Sequence, residues 1–317
     1  MTSPRLNAVA IFRASRATLS AFAVLVLFAP AARTQQSGGA PGMPGMPGME
    51  HHASAPALSA KTRQQLVDVS TALAPLSTTA AARSAGYEPQ FGWIATMGVH
   101  WVDVARMTKS AQGTLRSPDN LMFSRINGRD SLVGAAFAYF TTVGDTSVPP
   151  LFDSHPAWHE HEALAPPGQT LVMLHVWFVA SPDGPFAGTN PNLPFWAAGL
   201  AAPDSARMHD AAFNARVRRA ALAIGEATDS TSIFPRLGGR PALQPLIAPK
   251  RDSVRTVIAE LLAAQTAHDA PRWDRAAERA AALWDSIYQA YLSTARTPDV
   301  RERIERQTAM LLGQHEH

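Results

Sequence analysis

The spacing of hydrophobic residues predicts that the folded part of the chain begins with helices. From Ser59 onward, apolar residues such as Val69 and Leu73 recur on one side of a helix until Pro75 interrupts it. A short second helix follows. We expect it to end at Gly86, because glycine readily adopts the left-handed conformation that follows many helices.

The pattern then changes to that of β-strands over residues 87–180. Residues 121–126 and 131–140 flank Asn127-Gly128, the dipeptide that most strongly indicates a two-residue hairpin turn. These two segments are therefore predicted to be neighbouring antiparallel strands.

A long loop and a buried strand are expected next. Residues 141–168 contain several prolines, and this stretch is predicted to be a loop of the kind that often carries function. Residues 170–179 are apolar on both faces, which predicts a central, buried strand.

From Pro203 the chain is again helical in pattern. Apolar residues recur three and four positions apart, as expected for helices that pack against other elements. The predicted helices are 204–224 with a stop at Gly225, 253–268, 271–296, and a last helix that starts at Pro298. The fold class is therefore predicted to be α+β: an N-terminal helix, an antiparallel sheet of about four to six strands, and a C-terminal helical region packed on or beside it.

The N-terminus has the features of a cleavable signal peptide. Arg5, Arg13 and Arg16 precede the apolar run 17–29, and small residues two positions apart end at Ala31. The run is shorter than the roughly 20 residues that a membrane-spanning helix needs. We expect cleavage after Ala31, no membrane span in the mature chain, and a periplasmic or secreted location.

Composition excludes some functions. The formal net charge is +3, which the three arginines of the signal peptide account for, and no basic stripe indicates nucleic-acid binding. The absence of cysteine excludes disulfides and cysteine nucleophiles. No P-loop, G-x-S-x-G, H-E-x-x-H or G-x-G-x-x-G motif is present, so the sequence leaves open whether the protein is an enzyme. It does not predict an oligomeric state.

A segment rich in glycine, proline, methionine and histidine follows the signal peptide. Residues 32–57 are predicted to be a flexible linker, because closely spaced prolines prevent a helix. Thioether and imidazole groups also bind copper. The linker supplies Met43, Met46, Met49, His51 and His52. The predicted organisation is a signal peptide (1–31), this linker, an α+β domain (58–202) and a helical region (203–317).

Histidines of the β-rich part are candidate metal ligands. His159 and His161 are two residues apart, so in an extended chain both rings point to the same side and Glu160 points away. His100 and His175 lie in apolar, strand-like segments next to a tryptophan. Neutral imidazoles that converge suit a divalent zinc, copper or iron ion.

The same residues also have a purely structural interpretation, in which each buried histidine only hydrogen-bonds the backbone. Carboxylates at Asp103, Asp153 and Glu162 are possible additional ligands or partners of the histidines, and His155 lies nearby.

Several segments together resemble a family of exported bacterial proteins that has no established activity. The shared motifs are an A-G-Y corner, M-G-x-H-[WF]-V-[DN], P-[DE]-x-L, P-P-x-L-F, L-H-x-W and N-P-x-G-x-F-A-x-x-N-P. They correspond here to residues 85–87, 97–103, 118–121, 149–152, 174–177 and 182–191, the last reading PDGPFAGTNP.

The resemblance implies a shared exported domain. It includes His100 and His175 in its motifs, whereas His159 and His161 fall in a more variable part. Ser181 stands where the family usually has asparagine, and the helices after Ala202 are an addition to the family pattern. Oxygens of Asp183, Asn190 and Asn192 are further candidates for ligand binding, although these residue types are also common in turns.

Three functions are compatible with these residues. The first is an extracytoplasmic protein, with or without catalytic activity, that binds a metal ion or small ligand at His100 and His175. The second is a non-catalytic envelope or assembly protein whose histidines are structural. The third is a copper-handling protein that uses the Met/His linker together with His315 and His317.

Overall fold

A computed structural model describes residues 58–108, 114–153, 158–161, 165–228 and 240–313. The predicted signal peptide and linker lie outside these residues, as do His155, Glu162, His315 and His317. The helices are α1 (Ala60–Leu73), α2 (Thr79–Ser84), α3 (Asn192–Ala197), α4 (Ala211–Thr228), α5 (Arg240–Thr266), α6 (Ala270–Ser293) and α7 (Pro298–Leu311). The strands are β1 (Glu88–Ile94), β2 (Gly98–Val102), β3 (Asn120–Ile126), β4 (Arg129–Thr142), β5 (His159–His161) and β6 (Gln169–Trp177).

The strands form one antiparallel sheet, which confirms the α+β prediction. In the described residues it has six strands in the order β1-β2-β3-β4-β6-β5. Strand β6 returns beside β4, so β5 becomes the edge strand although it precedes β6 in the chain. The prediction that residues 141–168 form a loop is wrong where β5 lies within them. This strand has three residues and is too short to have a clear sequence pattern.

Two of the predicted chain reversals are confirmed. Asn127 and Gly128 have φ angles of 51° and 75°, the left-handed pair required by the tight turn between β3 and β4. Gly86 has a φ of 98° and follows α2, so it ends that helix as predicted.

The sheet has two faces of different composition. The core face comprises Trp101, Leu121, Ala135, Phe137, Leu174 and Val176, and it is covered by Val69 and Leu73 of α1 and Ala82 of α2. The opposite face, called the histidine face below, comprises His100, Met122, Gly134, Ala136, Met173, His175, Trp177, His159 and His161, as the strand register shows. Leu193 of α3 packs against Met122 and Trp177 and covers part of it.

The helices after residue 202 share a hydrophobic core with the turn between β1 and β2. Trp93 and Ile94 at the end of β1, and Ala95 and Met97 of the turn, belong to the same buried cluster as α4, α5 and α6. The predicted helix end at Gly225 is wrong, because α4 continues to Thr228. At Gly225 the helix lies so close to the turn that an added Cβ would be 2.6 Å from Ala95 Cβ.

A second boundary prediction is also wrong. Helix α5 begins at Arg240 instead of residue 253, and it includes Pro245 and Pro249. Proline usually ends a helix because it removes a backbone donor. Here Ile247, between the two prolines, is fully buried, and this packing favours the helix despite the lost hydrogen bonds.

A buried polar group lies among the helices. Glu226 of α4 accepts hydrogen bonds from Arg251 of α5 (Nη2 to Oε2, 3.1 Å) and from Tyr291 of α6 (Oη to Oε2, 2.8 Å). Burial is the main cause of the raised pKa of Tyr291, and the carboxylate of Glu226 adds to it.

Among the described residues, no helix is both long and apolar enough to cross a membrane.

Candidate metal-binding site

Four histidines meet on the histidine face although they come from three strands. His100 lies on β2 and His175 on β6, with β3 and β4 between them. The intervening positions on β4 are Gly134 and Ala136; the side chain of Met122 lies over Gly134, and Ala136 is the small residue directly opposite His175. The rings of His100 and His175 extend towards each other across these strands.

His175 is held in one orientation by the backbone. Its side chain is buried, and its Nδ1 lies 2.8 Å from the carbonyl oxygen of Gly188. A carbonyl only accepts, so Nδ1 must carry the proton and donate it. The lone pair of His175 is therefore on Nε2, the atom that points towards His100.

The closest approach between the two rings is 3.4 Å, from His100 Nε2 to His175 Nε2. This is longer than the usual hydrogen-bond range of about 2.7 to 3.2 Å. Two imidazoles that bind one tetrahedral ion at about 2.0 to 2.1 Å have their nitrogens about 3.3 to 3.4 Å apart. The observed spacing fits two ligands of one ion, and it also fits a long hydrogen bond in which His100 Nε2 donates to His175 Nε2.

His159 and His161 extend the cluster towards the surface. The ring of His159 lies 5.0 Å from that of His175 and 4.8 Å from that of His161, measured between centroids. His159 and His161 share one face of β5 and are half-buried, whereas Glu160 is exposed on the other face. Because β5 is the edge strand, the two rings lie between the buried pair and the solvent.

Electrostatics keep the buried rings neutral. Burial, with a smaller contribution from His159, lowers the pKa of His100 to about 4. Burial also holds the pKa of His175 well below its usual value, and His159, His100 and His161 lower it further. Metal ions bind the neutral form of imidazole, so these two rings need not lose a proton at neutral pH.

The four histidines do not form a metal site as they are placed. Within the described ranges, no group of three or more His, Cys, Asp or Glu side chains could hold a metal ion. Only His100 and His175 bring ring nitrogens close together. In addition, Nδ1 of His100 is buried and has no hydrogen-bond partner among the residues that the structure describes.

Two of the predicted carboxylate partners are engaged elsewhere. Asp103 accepts a hydrogen bond from Arg106 (Nε to Oδ2, 2.6 Å) and one from the backbone of Ala105. Asp153 pairs with Lys61 at 2.9 Å and accepts from Ser59 at 3.0 Å. Through these contacts, both carboxylates stabilise the chain segments around them.

The polar side chains of the predicted ligand-binding loop bind the protein itself. Asn190 and Asn192 each donate a side-chain hydrogen bond to the carbonyl of Ala180, at 3.0 and 3.1 Å. Asp183 pairs with Arg218 of α4. These contacts close the loop on itself, as turn-forming residues commonly do.

The sequence did not identify Gly188 or Arg218. Gly188 contacts His175 through its carbonyl, and Arg218 contacts the neighbouring Thr189. The PDGPFAGTNP motif is the signal that contains Gly188, but nothing in it shows that its backbone reaches His175. Arg218 lies in a helix more than twenty residues later in the chain, and no sequence pattern connects it to the motif.

Comparisons with protein-family models, with curated proteins and with solved structures found no match to this chain. The resemblance to an exported bacterial family therefore stays a prediction. The geometry of the histidine face is the basis for a functional proposal.

Proposed function

We propose that this is an exported protein that binds one transition-metal ion on the histidine face, with His100 and His175 as the central ligands. The observation that carries the proposal is the 3.4 Å distance between the two Nε2 atoms in a buried setting. His159 is the third ligand in this proposal, because its ring centroid lies 5.0 Å from that of His175, and its side chain must turn to complete the site.

The arrangement around His175 supports this assignment. In metal sites, a histidine ligand usually donates its second ring proton to a carboxylate or backbone carbonyl, which fixes the tautomer. The contact from His175 Nδ1 to Gly188 has this form. The pKa of both His100 and His175 is lowered, so both rings are neutral at pH 7, and the neutral imidazole is the form that binds metal.

The neighbours of the histidines favour copper as the first ion to test. Met122 is the cross-strand partner of His100, and Met173 is the cross-strand partner of His159. Directly opposed side chains on one face of a sheet have Cβ atoms about 4.5 to 5.5 Å apart. Imidazole suits zinc, copper and iron alike, whereas an additional thioether selects copper, above all Cu(I).

The test is metal analysis of the purified mature protein, followed by titration with zinc, copper and iron. We expect about one ion per chain. His100→Ala and His175→Ala should each lose the ion, and chelator should lower the melting temperature of the wild type but not of these variants. His209→Ala is the matched control, because His209 is an exposed histidine of the helical region.

Two outcomes would overturn the proposal. Wild-type protein that is metal-free and indifferent to added zinc, copper, iron and manganese would support the structural interpretation of the histidines, that of an envelope or assembly protein. Binding that survives both substitutions but is lost on deletion of residues 38–56 would move the site to the predicted Met/His linker. Circular dichroism of each variant shows whether loss of metal reflects loss of the fold.

A further inference from the structure

The segment between β6 and α3, residues 181–191, determines how the last side chains of β6 are oriented. It is called the closing segment below. The carbonyl of Ala187 accepts from the indole Nε1 of Trp177 at 2.6 Å, and the carbonyl of Gly188 accepts from Nδ1 of His175 at 2.8 Å. A shift of this backbone by one ångström would break the contact that fixes the proton on His175.

One side chain of the helical region holds the closing segment on both sides of Gly188. Arg218 of α4 is nearly buried, and its Nη2 pairs with Asp183. Its Nη1 lies 3.4 Å from the hydroxyl of Thr189, the residue after Gly188. Its Nε donates to Oδ1 of Asn214 at 2.6 Å, so its own helix sets the direction of the guanidinium.

We propose that Arg218 is a positioning residue for the metal site, an inference that rests on the proposed function. Arg218 contacts Asp183 and Thr189, and these contacts keep the Gly188 carbonyl in place. In this position the carbonyl accepts a hydrogen bond from His175 Nδ1. His175 Nε2 is then presented to the metal with its lone pair free. Arg218 acts through the closing segment and touches neither the ion nor a ligand.

This assignment gives the C-terminal helices a role at a site formed by the sheet. The end of α7 also contributes, because a Cβ on Gly313 would lie 2.5 Å from Nη1 of Arg218. The guanidinium is therefore confined between α4, the closing segment and the end of α7. Gly313 has a φ of 76°, so a side chain there would strain the backbone as well as crowd the guanidinium.

The first measurement is metal affinity. Loss of the group that a ligand is hydrogen-bonded to typically weakens metal binding by about 10- to 100-fold. We expect Arg218→Met to weaken binding by up to this amount, because Arg218 acts on that group, the Gly188 carbonyl, through the closing segment. Arg218→Lys keeps one charge near Asp183 and should recover part of the loss. Arg219→Met is the matched control, because Arg219 is the next residue on α4 and pairs with Asp285 on the exposed surface.

The second measurement separates this inference from the proposed function. In the metal-free protein, the Nδ1 proton of His175 should give a resolved, slowly exchanging imidazole signal in ¹H–¹⁵N spectra because Gly188 accepts it. Arg218→Met should broaden or remove that signal, whereas Arg219→Met should leave it unchanged. If Arg218→Met does not fold, Asp183→Asn removes the same ion pair from a half-exposed carboxylate.

The outcomes are distinct. If no variant and no wild type binds metal, the proposed function fails, and the proton signal still tests the role of Arg218 in orienting His175. If wild type binds metal but folded Arg218→Met keeps its full affinity and the His175 signal, the positioning role is overturned. Equal loss of affinity in Arg218→Met and Arg219→Met would also overturn it, because a general effect on α4 would then be sufficient.

Discussion

The two faces of the sheet are built from the same strands but have different chemistry. On the core face, large side chains such as Phe137 and Leu174 fill the space below α1 and α2. On the histidine face, the central strand β4 carries Gly134, Ala136 and Ala138, and the larger groups above it include histidines and methionines. Both faces bury apolar side chains, but only the histidine face brings polar rings together among them.

The largest expected effect comes from the core face. Phe137 is fully buried, so Phe137→Ala should lower the free energy of unfolding by about 3 to 5 kcal/mol. Denaturant unfolding measures the loss. Metal affinity of the remaining folded protein should change little, and a large loss of affinity without unfolding would show that the two faces do not act separately.

The histidine face can be tested by filling its space. Ala136→Leu adds volume next to His175 and should cost about 1 to 3 kcal/mol from overpacking. It should also weaken metal binding, on the order of tenfold or more, because the rings can no longer approach. Ala135→Leu is the control on the other face of the same strand. It should destabilise the fold similarly while calorimetric titration shows unchanged binding.

The pH dependence of stability should reveal the buried histidines. For metal-free protein, the folded pKa of His100 is about 4 against 6.5 for the unfolded chain. The unfolded state therefore binds more protons between these values, and stability falls as the pH falls from about 6.5 to 4. The pKa difference corresponds to about 3 kcal/mol.

His100→Gln isolates this contribution from the titration of carboxylates. Urea unfolding with chelator present, repeated across this pH range, should give a shallower slope for the variant than for wild type. Parallel slopes would mean that His100 is not held neutral in the folded protein.

The smallest expected effect concerns neither face. Deleting residues 38–56 should leave the melting temperature nearly unchanged, because a linker of this composition is expected to bury little apolar surface. Differential scanning calorimetry of the mature chain with and without the segment measures this. A drop of many degrees would show that the segment packs against the folded part.

Local features of the fold were predictable from sequence, and features that depend on packing were not. Asn127-Gly128 and Gly86 act within a few residues, so their effect on the backbone is visible in the sequence. Gly225 suggested a helix end, but the nearby turn at Ala95 requires a glycine inside the helix. The predicted helix began only at residue 253, whereas tertiary burial of Ile247 extends α5 back across Pro249.

In the candidate site, too, the residues could be predicted from sequence, but their contacts across the sheet could not. The four histidines were identifiable from residue type and from the spacing of His159 and His161. That His100 and His175 meet follows from the strand order and from the small residues on β4, neither of which is encoded near either histidine. The Gly188 carbonyl was also beyond prediction, because a backbone atom has no sequence signature.

The group formed by Glu226, Arg251 and Tyr291 has a consequence for how the helical region assembles. The core among α4, α5 and α6 combines small residues, such as Ala220 and Ala277, with large ones such as Trp284. A shift of one helical turn, about 5.4 Å, would leave the carboxylate or guanidinium buried without its partner, at a cost of about 3 to 5 kcal/mol. We therefore expect this polar group, together with the large side chains, to select one relative placement of the three helices.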